Sequence, residues 1–377
     1  MDCSRATSQT RSPPPCERSP RACASLPGRS VGSRRIEDLG EFDLLDLIRA
    51  HLGQRLSTTV RGPGGDAAIL ETETGRLALS TDAAVEGVHF DLRFMSLADA
   101  GWRAVVGALG DLSAVGAEPR AVLLSCGFRG ELEVASVEEL FATLDALGEE
   151  EGFDLVGGDV VASPHAVFFD VVVVGRLTLS SSVDRSGARP GDLLAVTGTL
   201  GGAMAGLASL RRAGKRPSDP SPAELDYLRP GSPLRPGIAL AACPIHAMTD
   251  ISDGLAEELL ALARANEELA FVVDPTRLPV AEGVDAEAKE SGRDPAEMAL
   301  SGGEDSELLL TVLPEDYSAL KRALDALHPA TRLTVIGEVI GAPADAPAQQ
   351  RTLARSQDGE IRPLALRGFE HFRRSGR

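Results

Sequence analysis

Two periods alternate in the apolar positions of this chain. Residues 41–48, Glu41-Phe42-Asp43-Leu44-Leu45-Asp46-Leu47-Ile48, carry apolar side chains at helical spacing and open the folded part. Short apolar runs at 77–80, 85–90 and 121–126 predict strands, and 97–112 predicts a helix that holds the only tryptophan, Trp102. Residues 137–150 form an amphipathic helical pattern, whereas 153–156 and the β-branched run 166–174 suit a pleated surface. Turn composition follows over 178–190, with Ser180-Ser181-Ser182 and Gly187-Ala188-Arg189-Pro190, and marks a domain boundary. The second half repeats the mixture. It predicts strands at 193–196, up to Thr249, at 308–312 and at 333–336, and helices after Gly201-Gly202, at 255–265 and at 317–327. The fold class expected is α+β with α/β-like alternation, in two domains over 36–182 and 183–377 behind a flexible head, 1–35.

Length agrees, since 377 residues exceed one ordinary hydrophobic core. With 43% hydrophobic and 25% charged residues, the chain is neither wholly disordered nor fibrous. A net charge of −18 argues against wrapping nucleic acid or an anionic membrane, so any anionic partner needs cations between it and the protein. The head is the exception. Residues 1–35 hold seven arginines against Asp2 and Glu17, which leaves 31 basic against 54 acidic residues in the rest. Rich in Ser and Pro and without an apolar run, the head reads as a dispensable extension, with a transit peptide as the alternative; it lacks the apolar stretch of a secretion signal. Cys126 and Cys243 sit in apolar contexts without Cys-x-x-Cys spacing and read as reduced thiols of a cytoplasmic protein. The longest apolar candidate, 166–174, is interrupted by Asp170, so no membrane span is expected.

Several familiar devices are missing. Gly214-Lys215 is followed by Arg216, which excludes a P-loop, and neither Gly-x-Ser-x-Gly nor His-Glu-x-x-His occurs. Gly198-Thr199-Leu200-Gly201-Gly202, between a strand and a helix, is either an anion-facing set of backbone N–H groups or a plain turn. The informative feature is a series of carboxylates beside glycines or small residues, following predicted strands. They are Gly64-Gly65-Asp66, Ser80-Thr81-Asp82, Gly110-Asp111, Gly157-Gly158-Asp159, Asp250-Ile251-Ser252-Asp253 and Gly302-Gly303-Glu304-Asp305. Any one is an ordinary turn or helix cap; Ser252 or Asp253 suits the N-cap of the helix beginning at Gly254. Six together point to a site, because open sheets build sites at strand ends. Hard oxygen ligands without His or Cys select Mg²⁺ shared with substrate phosphates.

At these motifs the sequence resembles the thiamine-monophosphate kinase family, within the superfamily of aminoimidazole ribonucleotide synthetase and selenophosphate synthetase. The resemblance runs from Gly40-Glu41-Phe42 to Gly368-Phe369-Glu370-His371-Phe372. It includes Glu86-Gly87-Val88-His89-Phe90, Gly110-Asp111-Leu112-Ser113-Ala114-Val115-Gly116-Ala117 and Val196-Thr197-Gly198-Thr199-Leu200-Gly201. It implies several Mg²⁺ ions held by Asp66, Asp82, Asp111, Asp159, Asp250 and Asp253, with oxygens of Ser80 and Thr81 nearby. It further implies ATP contacts from Gly158, Asp159, Arg185 and Ser252, and thiamine monophosphate contacts from His89, Glu304 and Phe369. Its fold implies N-terminal domains paired into a dimeric β-barrel, hence a homodimer, with nucleotide in an inter-domain cleft.

The chemistry follows from charge. ATP and a phosphate monoester repel each other and an acidic protein, and bound cations neutralise and align both. The acceptor phosphate, with a second pKa of about 6, is largely ionised at neutral pH, so no catalytic base is expected and transfer is in line. His89 orients substrate or is a buried structural histidine. Phe369 stacks on an aromatic ring of the ligand or ties down the C-terminus. Three departures from the family pattern stand out: Gly65 before Asp66 where an Asp is usual, Val160-Val161-Ala162 for Thr-Thr-Arg, and Ser306 for Tyr. The alternatives to a kinase are another ATP-dependent synthetase of the superfamily acting on a different small anion, or a non-catalytic nucleotide or metal sensor.

Overall fold

A computed structural model describes residues 41–52, 56–177, 183–343 and 345–371. The head at 1–35, Gly40, Phe372 and the residues 178–182 at the expected domain division lie outside the described residues. The elements in chain order are α1 (Glu41–His51), β1 (Thr59–Arg61), β2 (Ala68–Thr72), β3 (Gly75–Val85), α2 (Leu97–Ala114), β4 (Ala117–Phe128), α3 (Val134–Glu151), β5 (Asp154–Ala162) and β6 (Phe168–Leu177). After these come β7 (Leu193–Thr197), α4 (Gly202–Ala213), α5 (Pro222–Leu228), α6 (Leu234–Ala241), β8 (Ile245–Ile251), α7 (Leu255–Ala265) and β9 (Leu269–Val273). The chain continues through α8 (Val284–Ser291), α9 (Pro295–Ser301), β10 (Glu307–Val312), α10 (Pro314–Leu327), β11 (Leu333–Gly341), β12 (Thr352–Arg355) and β13 (Ile361–Pro363). The class is α+β, as expected. No helix among the described residues is long and apolar enough to cross a membrane.

The first sheet has the order β1-β2-β3-β6-β4-β5, antiparallel except for the parallel β4–β5 pair that α3 connects. Alternation along β6 buries Phe169, Val171 and Val173 at 0% exposure, so one face of this sheet rests on α2 and α3. The second sheet, β13-β12-β9-β11-β7-β10-β8, has apolar residues on both faces. On β7, Leu194 and Val196 join one core cluster and Ala195 another. Among the described residues neither sheet closes on itself into a barrel.

Helix α2 is the junction. Its N-terminus is closed by a capping box, in which Ser96 accepts from the Asp99 N–H and the Asp99 carboxylate accepts from the Ser96 N–H. Asp99 is fully buried because Arg216 and Arg229 from the second half donate to it at 2.6 and 2.8 Å. The helix is buried along most of its length, against β3 and β6 on one side and β8 and α6 on the other.

Three local expectations change. The strand expected at 77–80 extends over 75–85 as β3, and the strand expected at 85–90 is instead a turn beyond Val85, so Ser80, Thr81 and Asp82 lie mid-strand. Asp111 lies within α2 and Asp159 within β5, so only part of the carboxylate series sits at strand ends. Neither Ser252 nor Asp253 caps α7. Gly254 is its N-cap at φ 103°, without a side-chain cap hydrogen bond, which leaves the Asp253 side chain facing the cleft.

Candidate active site

A cleft of about 620 Å³ lies where β3, α2, the end of β8 and the 302–306 loop converge. Strand alternation divides the β3 motif. Ser80 donates to Asp111 at 2.6 Å, while Thr81 on the opposite side donates to Asp170 of β6 at 2.9 Å. Helix α2 meets β8 closely: a Cβ at Gly110 would lie 3.0 Å from a carboxylate oxygen of Asp250, so glycine there lets strand and helix bring Asp250 beside Asp111.

Asp66, Asp111 and Asp250 each place a carboxylate oxygen within 4.8 Å of the others. At an effective dielectric of about 20, ionised groups at such a separation repel by ~3 kcal/mol. Burial, together with Asp66, pushes the Asp250 carboxyl up to about 7, and burial plus Asp250 raises Asp111 well above its usual range. Asp66 is also raised, chiefly by burial, although Arg185 pairs with one oxygen and Thr249 donates to the same oxygen at 3.2 Å. Among the described residues its other oxygen, Oδ2, is buried without a hydrogen-bond partner. An orphaned anionic oxygen in a cluster of hard donors is the environment a divalent cation satisfies. These residues fit Mg²⁺.

Further along the cleft stand Asp82 and Asp253. Burial raises both, Asp253 to about 7, with Glu41 and Glu257 also raising Asp253. Ser252 lines the same wall, and its carbonyl accepts from the Glu304 N–H at 2.7 Å. At the far end lie the three candidate acceptor contacts, His89, Glu304 and Phe369. His89 Nδ1 accepts from the Val85 N–H at 3.0 Å, and Nε2 lies 3.3 Å from His371 Nε2. Burial and His371 lower the His89 pKa, which favours the neutral ring with its proton on Nε2. Phe369 stands edge-on to both histidines, with ring centroids 6.2 and 4.8 Å away, and is 42% exposed.

The structure therefore brings Asp82, Asp111, Asp250, Ser252, Asp253, His89, Glu304 and Phe369 to one cleft, with Ser80 and Asp66 behind its wall against Asp111 and Asp250, and Arg185 beyond them against Asp66. Thr81 lines the cleft with its hydroxyl committed to Asp170. Gly158 and Asp159 stand apart. They sit on β5, the exposed edge of the first sheet, and β3 lies three strand spacings away, roughly 14 Å. Gly158 has a local reason to be glycine: at φ 152° its Cβ would fall 1.9 Å from the Leu124 carbonyl oxygen of β4. The Gly198–Gly202 turn also resolves. Its N–H groups meet internal anions, Asp305 accepting from Gly201 and Ala203 at 2.7 and 3.3 Å and Glu307 accepting from Thr199.

Sequence reasoning missed Arg103, Tyr227 and His371, which line the same cleft. For Arg103 a signal existed. It shares a stripe of α2 with Gly107 and Asp111, at i, i+4 and i+8.

A family model described as AIR synthase related protein, N-terminal domain, matches residues 64–177, and its C-terminal counterpart matches residues 189–347. Thiamine-monophosphate kinase of Bacillus subtilis (strain 168) is 30% identical over 342 residues, covering 89% of this chain and 100% of that protein. The chain belongs to the thiamine-monophosphate kinase family. The enzyme of that name from Mycobacterium tuberculosis (strain H37Rv) is 33% identical, covering 81% of this chain and 90% of its own. A solved structure described as AaThiL complexed with AMPPCP and TMP is 29% identical with a TM-score of 0.75, covering 90% of this chain and 99% of that one. Within this thiamine-monophosphate kinase family, the departures at Val160 and Val161 fall on the exposed edge strand and the one at Ser306 on the cleft wall.

Proposed function

We infer that this chain is an ATP-dependent phosphotransferase that moves the γ-phosphoryl group of ATP to thiamine monophosphate, giving thiamine diphosphate and ADP. One observation carries the reading: a buried carboxylate cluster with an orphaned oxygen opens into a cleft whose other end offers a carboxylate and aromatic rings. Mg²⁺ would be held by Asp66, Asp111 and Asp250, with Asp82 and Asp253 further along, and when bound it neutralises and aligns the phosphates. Glu304, His89 and Phe369 receive the organic half of the acceptor, which carries a positive ring and an aromatic amine. The acceptor phosphate is already largely ionised at neutral pH and needs no deprotonation. His89 Nδ1 is taken by a backbone amide, so the ring orients substrate. Burial in the cleft excludes water that would compete as acceptor. The test is direct: purified protein with ATP, Mg²⁺ and thiamine monophosphate is followed for ADP and thiamine diphosphate, with EDTA abolishing both. Intact ATP binding without turnover overturns the reading.

We also propose a homodimer built on β5. That edge strand exposes Val156, Val160 and Val161 at 59%, 63% and 43%, an apolar rim that a second copy would cover and that carries Gly158 and Asp159 with it. Val160→Lys is expected to yield monomer by light scattering, with activity lost; an unchanged dimer refutes this arrangement.

A further inference from the structure

Helix α2 reaches both ends of the cleft. Its stripe presents Asp111 to the acidic cluster and, two turns earlier, Arg103 to the end that holds Glu304. Arg103 is only 8% exposed, and both terminal nitrogens of its guanidinium are engaged. It pairs with Glu304 Oε2, donates to the Tyr227 carbonyl, and lies 3.9 Å above the centre of the Tyr227 ring. Tyr227 in turn donates its hydroxyl to the His89 carbonyl at 3.2 Å. One buried cation thus joins α2, α5 and the 302–306 loop.

That loop is already constrained at its backbone. Glu304 sits at φ 69° and Ser306 at φ 53°, both in the left-handed region that non-glycine residues avoid. The Glu304 N–H donates to the Ser252 carbonyl, and the neighbouring Asp305 carboxylate is bound to the first turn of α4. Backbone strain at a cleft wall persists where surrounding structure over-determines it. What the backbone leaves free is the Glu304 side chain, whose several rotamers must collapse to one if its carboxylate is to meet a ligand in fixed geometry. Arg103 holds one oxygen of that carboxylate, and the Glu304 side chain remains 38% exposed.

We propose that Arg103 is a positioning residue for the acceptor. It fixes the Glu304 carboxylate to receive the cationic, amine-bearing organic half of thiamine monophosphate, and it does not contact the phosphate. The proposal rests on the acceptor reading above. Its distinguishing consequence is that loss of Arg103 weakens unphosphorylated thiamine as much as thiamine monophosphate, because the groups Glu304 meets are common to both.

Calorimetric titration of thiamine, thiamine monophosphate and ATP into the full chain tests it, using wild type, Arg103→Lys, Arg103→Gln, Glu304→Gln and the Arg103→Gln/Glu304→Gln double variant. Arg103→Gln is expected to weaken thiamine and thiamine monophosphate by the same factor, about tenfold or more, and to leave ATP affinity within about twofold. Arg103→Lys keeps the charge without the planar fork and recovers part of the loss. The double variant binds no more weakly than Glu304→Gln alone, as two residues acting through one contact require. A loss confined to thiamine monophosphate shows that Arg103 grips phosphate and overturns the proposal. Equal loss of ATP, or additive losses in the double variant, also overturns it. If Arg103→Gln does not fold, Arg103→Lys alone decides by the same thiamine-to-thiamine-monophosphate ratio. Wild type that binds thiamine monophosphate without turnover refutes the kinase reading and leaves this proposal standing; wild type that binds neither acceptor refutes this proposal.

Discussion

The two ends of the cleft are built on opposite principles. At the acidic end, Asp66, Asp111 and Asp250 crowd within 4.8 Å, have pKa values raised by burial, with mutual repulsion adding at Asp111 and Asp250, and leave an oxygen unpartnered among the described residues. At the other end, charged and polar groups are matched inside the protein: Glu304 to Arg103, Tyr227 to His89, and His89 to Val85 and His371. An under-satisfied cluster costs stability until a cation arrives, whereas a satisfied network is stiff beforehand. On the proposed function, the difference separates an end that recruits charge from one that recognises shape.

The largest expected effect breaks the acidic end. Asp250→Asn removes a proposed cation ligand and is expected to reduce turnover by on the order of 10³-fold, while the melting temperature in EDTA holds or rises, because one of three repelling carboxylates is gone. A sharp fall in that temperature would show the cluster to be a stabilising network like the far end. Next in size is the response to pH and metal. Asp250 and Asp253 have folded-state values of about 7 against an ordinary 3.8. Both are raised, so their contribution to stability is full below the ordinary value and is lost as pH rises toward the folded one. Metal-free protein is therefore expected to melt at progressively lower temperature from pH 5 to pH 8. Mg²⁺ at a hundred times its pH 8 dissociation constant restores ~2.7 kcal/mol at pH 8, and the same concentration restores less at pH 5, since ligands must be deprotonated. Calorimetric melts with and without Mg²⁺ check both signs. The smallest effect belongs to the far end: Phe369→Ala is expected to raise KM for thiamine monophosphate by up to about tenfold, with KM for ATP unchanged. Because Phe369 is 42% exposed, the melting temperature should barely move; a large drop assigns it to the core instead.

Long periodic segments were legible along the chain. α7 spans the residues its pattern predicts, and α2 and α3 differ by two or three residues at an end. Short elements were not. α5, at seven residues, and the outer strands β12 and β13 carry too few apolar positions to show a period. Among site residues, the carboxylates stood out because acids beside glycines are conspicuous in any local window. Arg103 and Tyr227 did not, since an arginine in a helix and a tyrosine in a short one are ordinary until 124 residues of separation collapse into a hydrogen bond. Asp159 shows the converse limit: its local motif matches its neighbours, yet strand order places it at an exposed edge.

The sequence alone determined the family and the chemistry and singled out most of the acids that gather around the cleft, because local turn composition is encoded within a few residues of each Asp. Which carboxylates crowd together, which N–H groups at the start of α4 are already occupied by Asp305, and which arginine pairs with Glu304 were decided only by tertiary structure. Those depend on how α2 is wedged between two sheets, and electrostatic coupling falls off over a few ångströms of space, not over residues of chain.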